Sequence, residues 1–215
     1  MGDVVINLFP HFTFWKLQSL KQYLLFFLVI GSGTVIFYAI IQKMKKARTP
    51  EGALARVSKI LRSKTKGQIR LYVPRKKTDF SGNLVAILPQ DIMILHIEYF
   101  GYHIQGSYQD ERWTVADNAE TRTIPNPLPA LQKDKRLLET ALEQAKAGPL
   151  TVHTLIVFAD NYAEPDFKLD DASLPCVVST KGLGKWIRKH ELHPAAKEKM
   201  ETVYSAVSHL LRPKE

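Results

Sequence analysis

The strongest feature of the hydrophobic pattern is an uncharged apolar segment near the start of the chain. Tyr23–Ile41, YLLFFLVIGSGTVIFYAII, contains no charged residue. A helix of about 19 residues rises about 28 Å, close to the thickness of the hydrocarbon core of a bilayer. The segment is longer than the apolar region of a signal peptide, and no small-residue cleavage site precedes the basic cluster that follows it. It also lacks the polar face of a buried core helix, so the pattern predicts a membrane-spanning helix.

Charges on the two sides of this segment predict its orientation. Four basic residues follow it closely, at Lys43, Lys45, Lys46 and Arg48, whereas the N-terminal side holds two lysines and one aspartate. An excess of Lys and Arg marks the side of a membrane protein that stays in the cytoplasm. We therefore expect residues 1–22 to form an interfacial or periplasmic segment. Residues 42–48 are then a basic juxtamembrane linker, and the rest of the chain lies in the cytosol.

The pattern after the linker predicts one α/β domain over residues 49–215. A helix is expected to begin at Thr49, because Thr49 suits the N-cap position and Pro50 and Glu51 suit the first turn. The order of the later elements indicates an α/β or α+β fold with a mixed sheet flanked by helices. The expected strands and later helices are strands 68–73, 83–88, 92–99, 102–107, 151–158 and 175–179, and helices 131–145, 183–188 and about 200–211. The expected loops and turns include Trp113, Asp166–Lys168 and Lys181–Lys185.

The positive charge of the chain is concentrated in one stretch. The formal net charge of the 215 residues is +9. Residues 43–77 hold thirteen basic residues and one acid, so this stretch has a net charge of +12 and the remainder about −3. Such a stretch attracts anionic lipid, and the same charges attract nucleic acid. The candidate lipid- or nucleic-acid-binding residues are Lys43, Lys45, Lys46, Arg48, Arg75, Lys76 and Lys77.

The single cysteine, Cys176, excludes an intrachain disulfide and a cysteine-rich zinc site. It lies in an apolar run and is expected to be a buried structural thiol, which suits a reducing cytosolic compartment. The sequence has neither the phosphate-binding loop spacing nor a nucleophile elbow. We therefore expect no small-molecule substrate.

A familiar order of motifs runs through the middle of the chain. Gly82–Gly106, GNLVAILPQDIMILHIEYFGYHIQG, indicates two strands joined by a turn and followed by a segment that ends in glycine. Trp113 comes next, and then Asn126-Pro127-Leu128 leads into a helix. In this order and spacing, over residues 50–190, the chain resembles the nuclease-related domain (NERD) family. The resemblance implies a restriction-endonuclease-like fold of the PD-(D/E)-x-K kind.

The resemblance also points to the positions that carry catalysis in such nucleases, where an Asp and a Glu bind a divalent metal ion and a Lys positions the attacking water. In this chain Asn83 takes the position of the Asp, His96 that of the Glu and Glu98 that of the Lys. Ala130 takes the position of a family Gln in the helix that follows. The resemblance thus implies a degenerate motif with no catalytic residue, no metal and no cofactor. The alternative is an active nuclease with migrated ligands, which would need a divalent metal.

Two interpretations of the pair His96 and Glu98 remain open at the level of sequence. Residues two apart on a strand face the same side, so the two side chains are expected to form a hydrogen-bonded pair left from a former active site. Alternatively, His103 joins them in a metal site, since imidazole and carboxylate suit zinc or manganese. If the register slips so that Glu98 is the family Glu, Phe100 takes the Lys position, and the Lys is absent in either register.

Together these features predict a single-pass protein of the bacterial inner membrane with a cytoplasmic, catalytically inactive domain. Such a domain is expected to bind a membrane protein partner or DNA. The resembling family is linked to DNA processing and occurs on plasmids. A role in conjugation, such as DNA handling or entry exclusion, is the hypothesis that the resemblance implies.

Overall fold

The chain divides into two units, Met1–Lys46 and Ala47–Glu215. In a computed structural model, the residues that the structure describes are 20–47, 49–65, 69–74, 80–88, 91–117, 120–148, 150–159, 164–189 and 197–211.

The first unit contains a long helix, α1 (Leu20–Ala47). The segment Tyr23–Gln42 within it is long and apolar enough to cross a membrane, and its side chains are not buried in the structure. The hydroxyls of Ser32 and Thr34 donate to carbonyl oxygens about one turn earlier, at 3.0 and 2.8 Å. These bonds satisfy polar groups that would otherwise be costly in an apolar environment. The helix predicted over residues 23–41 lies inside α1.

The second unit opens with helix α2 (Pro50–Lys64), which begins where the sequence predicts. The Oγ1 atom of Thr49 accepts a hydrogen bond from the amide of Gly52 at 3.1 Å, so Thr49 is the N-cap. Pro50 stands in the first turn, where the missing amide hydrogen costs nothing.

The main sheet has five strands in the order β1-β2-β3-β7-β9. The first three strands are β1 (Arg70–Tyr72), β2 (Leu84–Ile87) and β3 (Asp91–Glu98). β1 pairs antiparallel with β2, and β2 pairs antiparallel with β3. β7 (Thr151–Phe158) and β9 (Val177–Ser179) continue the sheet from β3 with parallel pairing. The expectation of a mixed sheet is confirmed, and β7 has the bounds that its apolar run predicts.

A second, four-stranded sheet has the order β6-β5-β4-β8. β4 (His103–Gly106), β5 (Arg112–Ala116) and β6 (Thr121–Pro125) pair in antiparallel fashion, and β8 (Asp166–Leu169) pairs parallel to β4. The described residues of the domain therefore form two mixed sheets, where the sequence predicts one.

Three predictions of a loop or turn are wrong. Trp113 lies in β5, where Trp113 and Val115 are buried between exposed neighbours in the alternation of a strand. Asp166–Lys168 forms most of β8, because the free edge of β4 pairs with it. Lys181–Lys185 lies in helix α4 (Thr180–Lys189), whose first turn is held by a bond from the Gly182 amide to the Ser179 hydroxyl at 3.0 Å.

Helices cover both faces of the main sheet. Helix α3 (Pro127–Gln144) and helix α5 (Lys197–Leu210) share one apolar core with the sheet and with buried side chains of the second sheet. Helices α2 and α4 share the other core with the opposite face of the main sheet. Helix α3 starts four residues earlier than expected, because Asn126 caps it by accepting from the Leu128 amide at 3.0 Å.

Candidate functional site

The motif positions lie on the face of the main sheet that packs against α3. Along β3, Ile92 and Ile94 belong to the core that contains α3, whereas Met93 and Leu95 belong to the opposite core. Side chains alternate between the two faces of a strand. The even-numbered residues at the end of β3, including His96, therefore face the α3 side.

His96 and Glu98 form a direct side-chain pair. The Nε2 atom of His96 lies 2.9 Å from Oε1 of Glu98, and the two side chains are 22% and 20% exposed. Each group thus supplies the main polar partner of the other at a half-buried position, where an unpaired polar group would be costly. The hydrogen-bonded pair expected from the spacing is present.

Asn83 bonds to the backbone of the same strand. Its side-chain Oδ1 atom accepts a hydrogen bond from the backbone amide of Ile97 at 2.5 Å, and its backbone amide donates to the carbonyl of Leu95 at 2.8 Å. These two bonds extend the β2–β3 pairing beyond the start of β2. The Asn83 side chain therefore fixes the end of the hairpin at Ile97, which lies between the two residues of the His96–Glu98 pair.

Asp134 on α3 is the polar residue of this region that sequence reasoning missed. It is fully buried, and its Oδ2 atom accepts hydrogen bonds from the amides of Ser81 and Gly82, each at 2.8 Å. Its Oδ1 atom has no hydrogen-bond partner in the part of the chain that the structure describes. The sequence does carry a signal: Asp134 is in phase with the apolar stripe formed by Leu131, Leu138 and Leu142.

The environment of Asp134 favours its neutral form. Burial raises the pKa of the Asp134 carboxyl, because removal from water penalises the charge. The amides of Gly82 and Ser81 oppose this shift in pKa, as does the positive charge of Lys133.

Gly82 permits the close approach that Asp134 requires. A Cβ atom at this position would lie 2.8 Å from Cγ2 of Ile94 and 3.4 Å from the carbonyl oxygen of Leu95. The absence of a side chain lets the loop before β2 lie flat on β3 and present two successive amides to the Asp134 carboxylate.

The other predicted positions lie apart from this cluster. Ala130 is one turn before Asp134 on α3 and is half-buried, so it contributes no polar group. Gln132, two residues further on, lines a groove of about 620 Å³ together with Tyr108 and Arg136. His103 pairs with Asp166 of β8, at 3.2 Å from Nδ1 to Oδ2.

The structure does not assemble the alternative metal site. Among the described residues, no three His, Cys, Asp or Glu side chains are placed to share a metal ion. His96, Glu98 and His103 therefore do not form one group. The metal-site interpretation of these three residues stays a prediction, whereas the hydrogen bond between His96 and Glu98 that the spacing predicts is present.

The structure describes only part of the predicted set of basic residues. Lys43, Lys45 and Lys46 belong to α1, where the backbone alone is described. Arg48 and residues 75–77, which include Arg75, Lys76 and Lys77, lie outside the described residues.

Cys176 is half-buried at the end of a short 3-10 helix, Leu174–Cys176. Burial raises the pKa of the Cys176 thiol, although the positive charge of Lys135 opposes the shift. A raised thiol pKa disfavours the nucleophilic thiolate.

Comparison with family models, curated proteins and solved structures finds no match to this chain. The resemblance to the nuclease-related domain family stays a prediction, which rests on the order and spacing of the motifs.

Proposed function

We propose that this chain is a single-pass protein of the bacterial inner membrane whose cytoplasmic domain acts by binding, not by hydrolysis. One observation carries the proposal: the polar side chains at the former catalytic positions bond to one another or to backbone amides. Asn83 accepts a hydrogen bond from the Ile97 amide, and the side chains of His96 and Glu98 are hydrogen-bonded to each other. The region resembles a polar network that stabilises a hairpin.

A restriction-endonuclease-like fold is part of the proposal. It is supported by a mixed sheet covered by helices on both faces, and by the antiparallel β2–β3 hairpin that carries the motif positions. It is also supported by the close packing of the motif residues Gly106 and Trp113. A Cβ atom on Gly106 would lie only 2.3 Å from Cδ1 of Trp113, so the glycine and the tryptophan are matched to each other.

The chemistry of the site argues against hydrolysis. Phosphodiester cleavage in such folds relies on a metal ion that neutralises developing charge and generates hydroxide near neutral pH. Asn83 removes one anionic ligand, and Glu98 introduces a negative charge where a lysine would face the scissile phosphate. The buried carboxyl group of the region, on Asp134, already accepts hydrogen bonds from two backbone amides.

The proposed partner is a membrane protein or DNA near the membrane. The basic stretch 43–77 supports both, since its charges attract either nucleic acid or an acidic protein surface. The resemblance to a family linked to DNA processing and plasmids favours a role in conjugation, including entry exclusion. Affinity capture of the full chain from membranes, with and without nuclease treatment, separates a protein partner from a DNA-dependent one.

The proposal of an inactive site is tested by a plasmid-nicking assay. The full chain in mild detergent, as wild type and as Glu98→Ala, is incubated with supercoiled plasmid and Mg²⁺ or Mn²⁺. Loss of one electrostatic contributor costs on the order of 10² to 10³ in rate, so three changed positions should leave no metal-dependent nicking in either protein. Metal-dependent cleavage by the wild type that Glu98→Ala abolishes would show an active site and contradict the proposal.

A further inference from the structure

The two helical layers of the domain differ sharply in charge. Helices α2 and α4 each carry four Lys or Arg residues, and Glu51 is the only acid in either helix, so this layer has a net charge of +7. Helices α3 and α5 together carry five Lys or Arg and five Asp or Glu residues, so their layer is neutral. The excess positive charge of these four helices therefore lies on one side of the main sheet.

Most of the basic side chains of this layer are exposed to solvent. In α4 the apolar residues Leu183 and Ile187 are buried, and the basic residues recur at helical spacing on the opposite side. In α2 the buried residues are Ala53, Val57 and Leu61. We define the α2–α4 basic face by its six exposed residues, which are Lys59, Arg62, Lys64, Lys185, Arg188 and Lys189.

Two other basic residues of these helices are left out of the face. Arg56 is half-buried and donates a hydrogen bond to the carbonyl oxygen of Ala159. The Nζ atom of Lys181 lies 3.7 Å from Oε2 of Glu164, so its charge is partly compensated.

The two helices form one continuous surface. The side-chain stem of Lys64 passes over Gly184, where an added Cβ atom would lie 3.4 Å from Cε of Lys64. The Lys64 side chain at the end of α2 thus reaches the surface of α4. The charges at the end of α2 and along α4 thus act on the same partner.

We propose that the α2–α4 basic face docks on the anionic lipid headgroups of the membrane in which α1 is anchored. This inference rests on the proposed membrane anchoring. In the sequence, only Arg48 separates the last residue of α1 from Thr49, the N-cap of α2. The tether thus gives lipid phosphates a high effective concentration around this unit.

Charge and composition favour lipid over nucleic acid as the occupant. Each Lys or Arg near an anionic membrane surface strengthens binding by about fivefold, so six residues suffice for docking of a domain that is already tethered. The one aromatic residue of the two helices, Trp186, is half-buried against the core and packs edge-on to His153 at 5.0 Å between ring centroids, whereas sites for single-stranded nucleic acid combine basic residues with exposed aromatic stacking platforms. Free DNA would also lack the advantage of the tether.

The test measures the distance of each helical layer from the lipid headgroups. The full chain, with Cys176→Ser, is labelled with a fluorophore at Lys181→Cys on α4 or at Glu143→Cys on α3, and reconstituted in lipid nanodiscs. The discs contain nitroxide-headgroup lipid as quencher, in phosphatidylcholine alone or mixed with phosphatidylglycerol. We expect at least a twofold stronger quenching of the α4 label in the anionic discs, and no such change for the α3 label.

Two variants with the same change in net charge identify the surface. The first reverses four charges of the face: Lys59→Glu, Arg62→Glu, Lys185→Glu and Lys189→Glu. The matched control reverses four exposed charges elsewhere: Arg112→Glu, Lys133→Glu, Arg136→Glu and Lys168→Glu. The first set should abolish the anionic-lipid quenching of the α4 label and the control should retain it, with unchanged circular dichroism in both.

Salt dependence of the wild type provides a test that needs no variant. Electrostatic docking should be lost at about 1 M salt, where the Debye length falls to about 3 Å. Equal quenching of the α4 label in neutral and anionic discs, or equal effects of the two variants, would overturn the proposal. Failure of α4 quenching together with a shift of duplex DNA that depends on the face would assign the face to nucleic acid instead. A chain that is not retained in discs at all would contradict the proposed membrane anchoring, which is a different failure.

Discussion

Asp134 connects the loop before β2 to helix α3 through its two backbone amide partners. Replacement by alanine leaves the amides of Ser81 and Gly82 without an acceptor in a region where Gly82 is buried. We expect Asp134→Ala to lower the free energy of unfolding by about 2–4 kcal/mol, since each buried unsatisfied group costs about 1–3 kcal/mol. The measurement is urea unfolding of the full chain in mild detergent. Glu143→Ala, an exposed change on the same helix, is the matched control and should stay within about 0.5 kcal/mol.

The decrease in unfolding free energy caused by Asp134→Ala should also depend on pH. Because the folded-state pKa of Asp134 is raised from its usual value of 3.8, the native protein binds more protons than the unfolded chain between the two pKa values. The contribution of Asp134 is therefore fully present below the unfolded pKa and declines as the pH rises through the folded pKa. The difference between wild type and variant should thus be larger at acidic pH than near neutral pH. A difference that grows as the pH rises would contradict the assigned direction of the pKa shift.

The same neighbourhood shows what a sequence can reveal at the scale of single residues. The pairing of His96 with Glu98 follows from spacing alone, because residues two apart on a strand share a face. The role of Asp134 does not follow so easily, because Lys133 and Lys135 flank it and suggest a solvated helix face. Its amide partners, which precede Asn83 by one and two positions, come from a loop about fifty residues earlier in the chain. Only the packing of α3 on the sheet brings them together.

At the scale of elements, the second sheet depends on one close contact between β4 and β5. Trp113 is fully buried, its Nε1 donates to the carbonyl of Ser107 at 2.9 Å, and its ring lies directly against Gly106. A methyl group at Gly106 would require the ring to move. We expect Gly106→Ala to cost about 1–3 kcal/mol in unfolding free energy, the usual range for overpacking of a core, together with a change in near-ultraviolet circular dichroism.

Gly184→Ala is the matched control for this prediction. The atom nearest to an added Cβ there is Cε of Lys64 at 3.4 Å, the far part of a flexible side chain. Alanine is also a better helix former than glycine by about 1 kcal/mol, so this change should be neutral or stabilising. If both substitutions had the same effect, the ring of Trp113 would not be the cause of the loss at Gly106.

The elements that sequence predicted well are those whose pattern is local. Helix α2 has a recognisable cap at Thr49, and β7 is a continuous apolar run. The strands that were missed gain their structure from partners. β8 is half exposed along its length and exists because β4 offers a free edge, while most residues of β6 are exposed and contribute little to either core. The polar–apolar alternation of β8 spans only four residues and β6 is exposed at four of its five positions, so the pattern within each segment is too short or too weak to distinguish it from a loop.

At the scale of the whole molecule, the sequence shows the positive stretch 43–77 but not the surface to which it belongs. The four basic residues of α4 lie more than a hundred positions later in the chain, and they join those of α2 only because the two helices pack on the same sheet face. The opposite helical layer is neutral although the total charge of the chain is +9. Charge asymmetry of this kind is a product of the fold, and it gives the domain one electrostatically distinct side.

The orientation of the chain in the membrane is the prediction with the widest consequences, because both the proposed function and lipid docking on the cytoplasmic leaflet depend on it. The basic residues directly after Tyr23–Ile41 should hold the second unit in the cytoplasm. We expect a cysteine at Lys168, an exposed position of β8, to resist a membrane-impermeant maleimide in intact bacteria and to react after permeabilisation. Cys176 is replaced by serine so that the engineered thiol alone is measured.

A second cysteine, introduced at Asn7 in the N-terminal flank, is the matched control for this orientation. It should show the opposite pattern and react in intact cells, since residues 1–22 are predicted to form an interfacial or periplasmic segment. If the thiol at Lys168 reacts in intact cells while the thiol at Asn7 does not, the chain is inverted. The α2–α4 basic face would then meet the outer leaflet. If neither thiol reacts before permeabilisation, the opposite labelling expected for the two sides of a single span is absent, which would contradict the assigned topology.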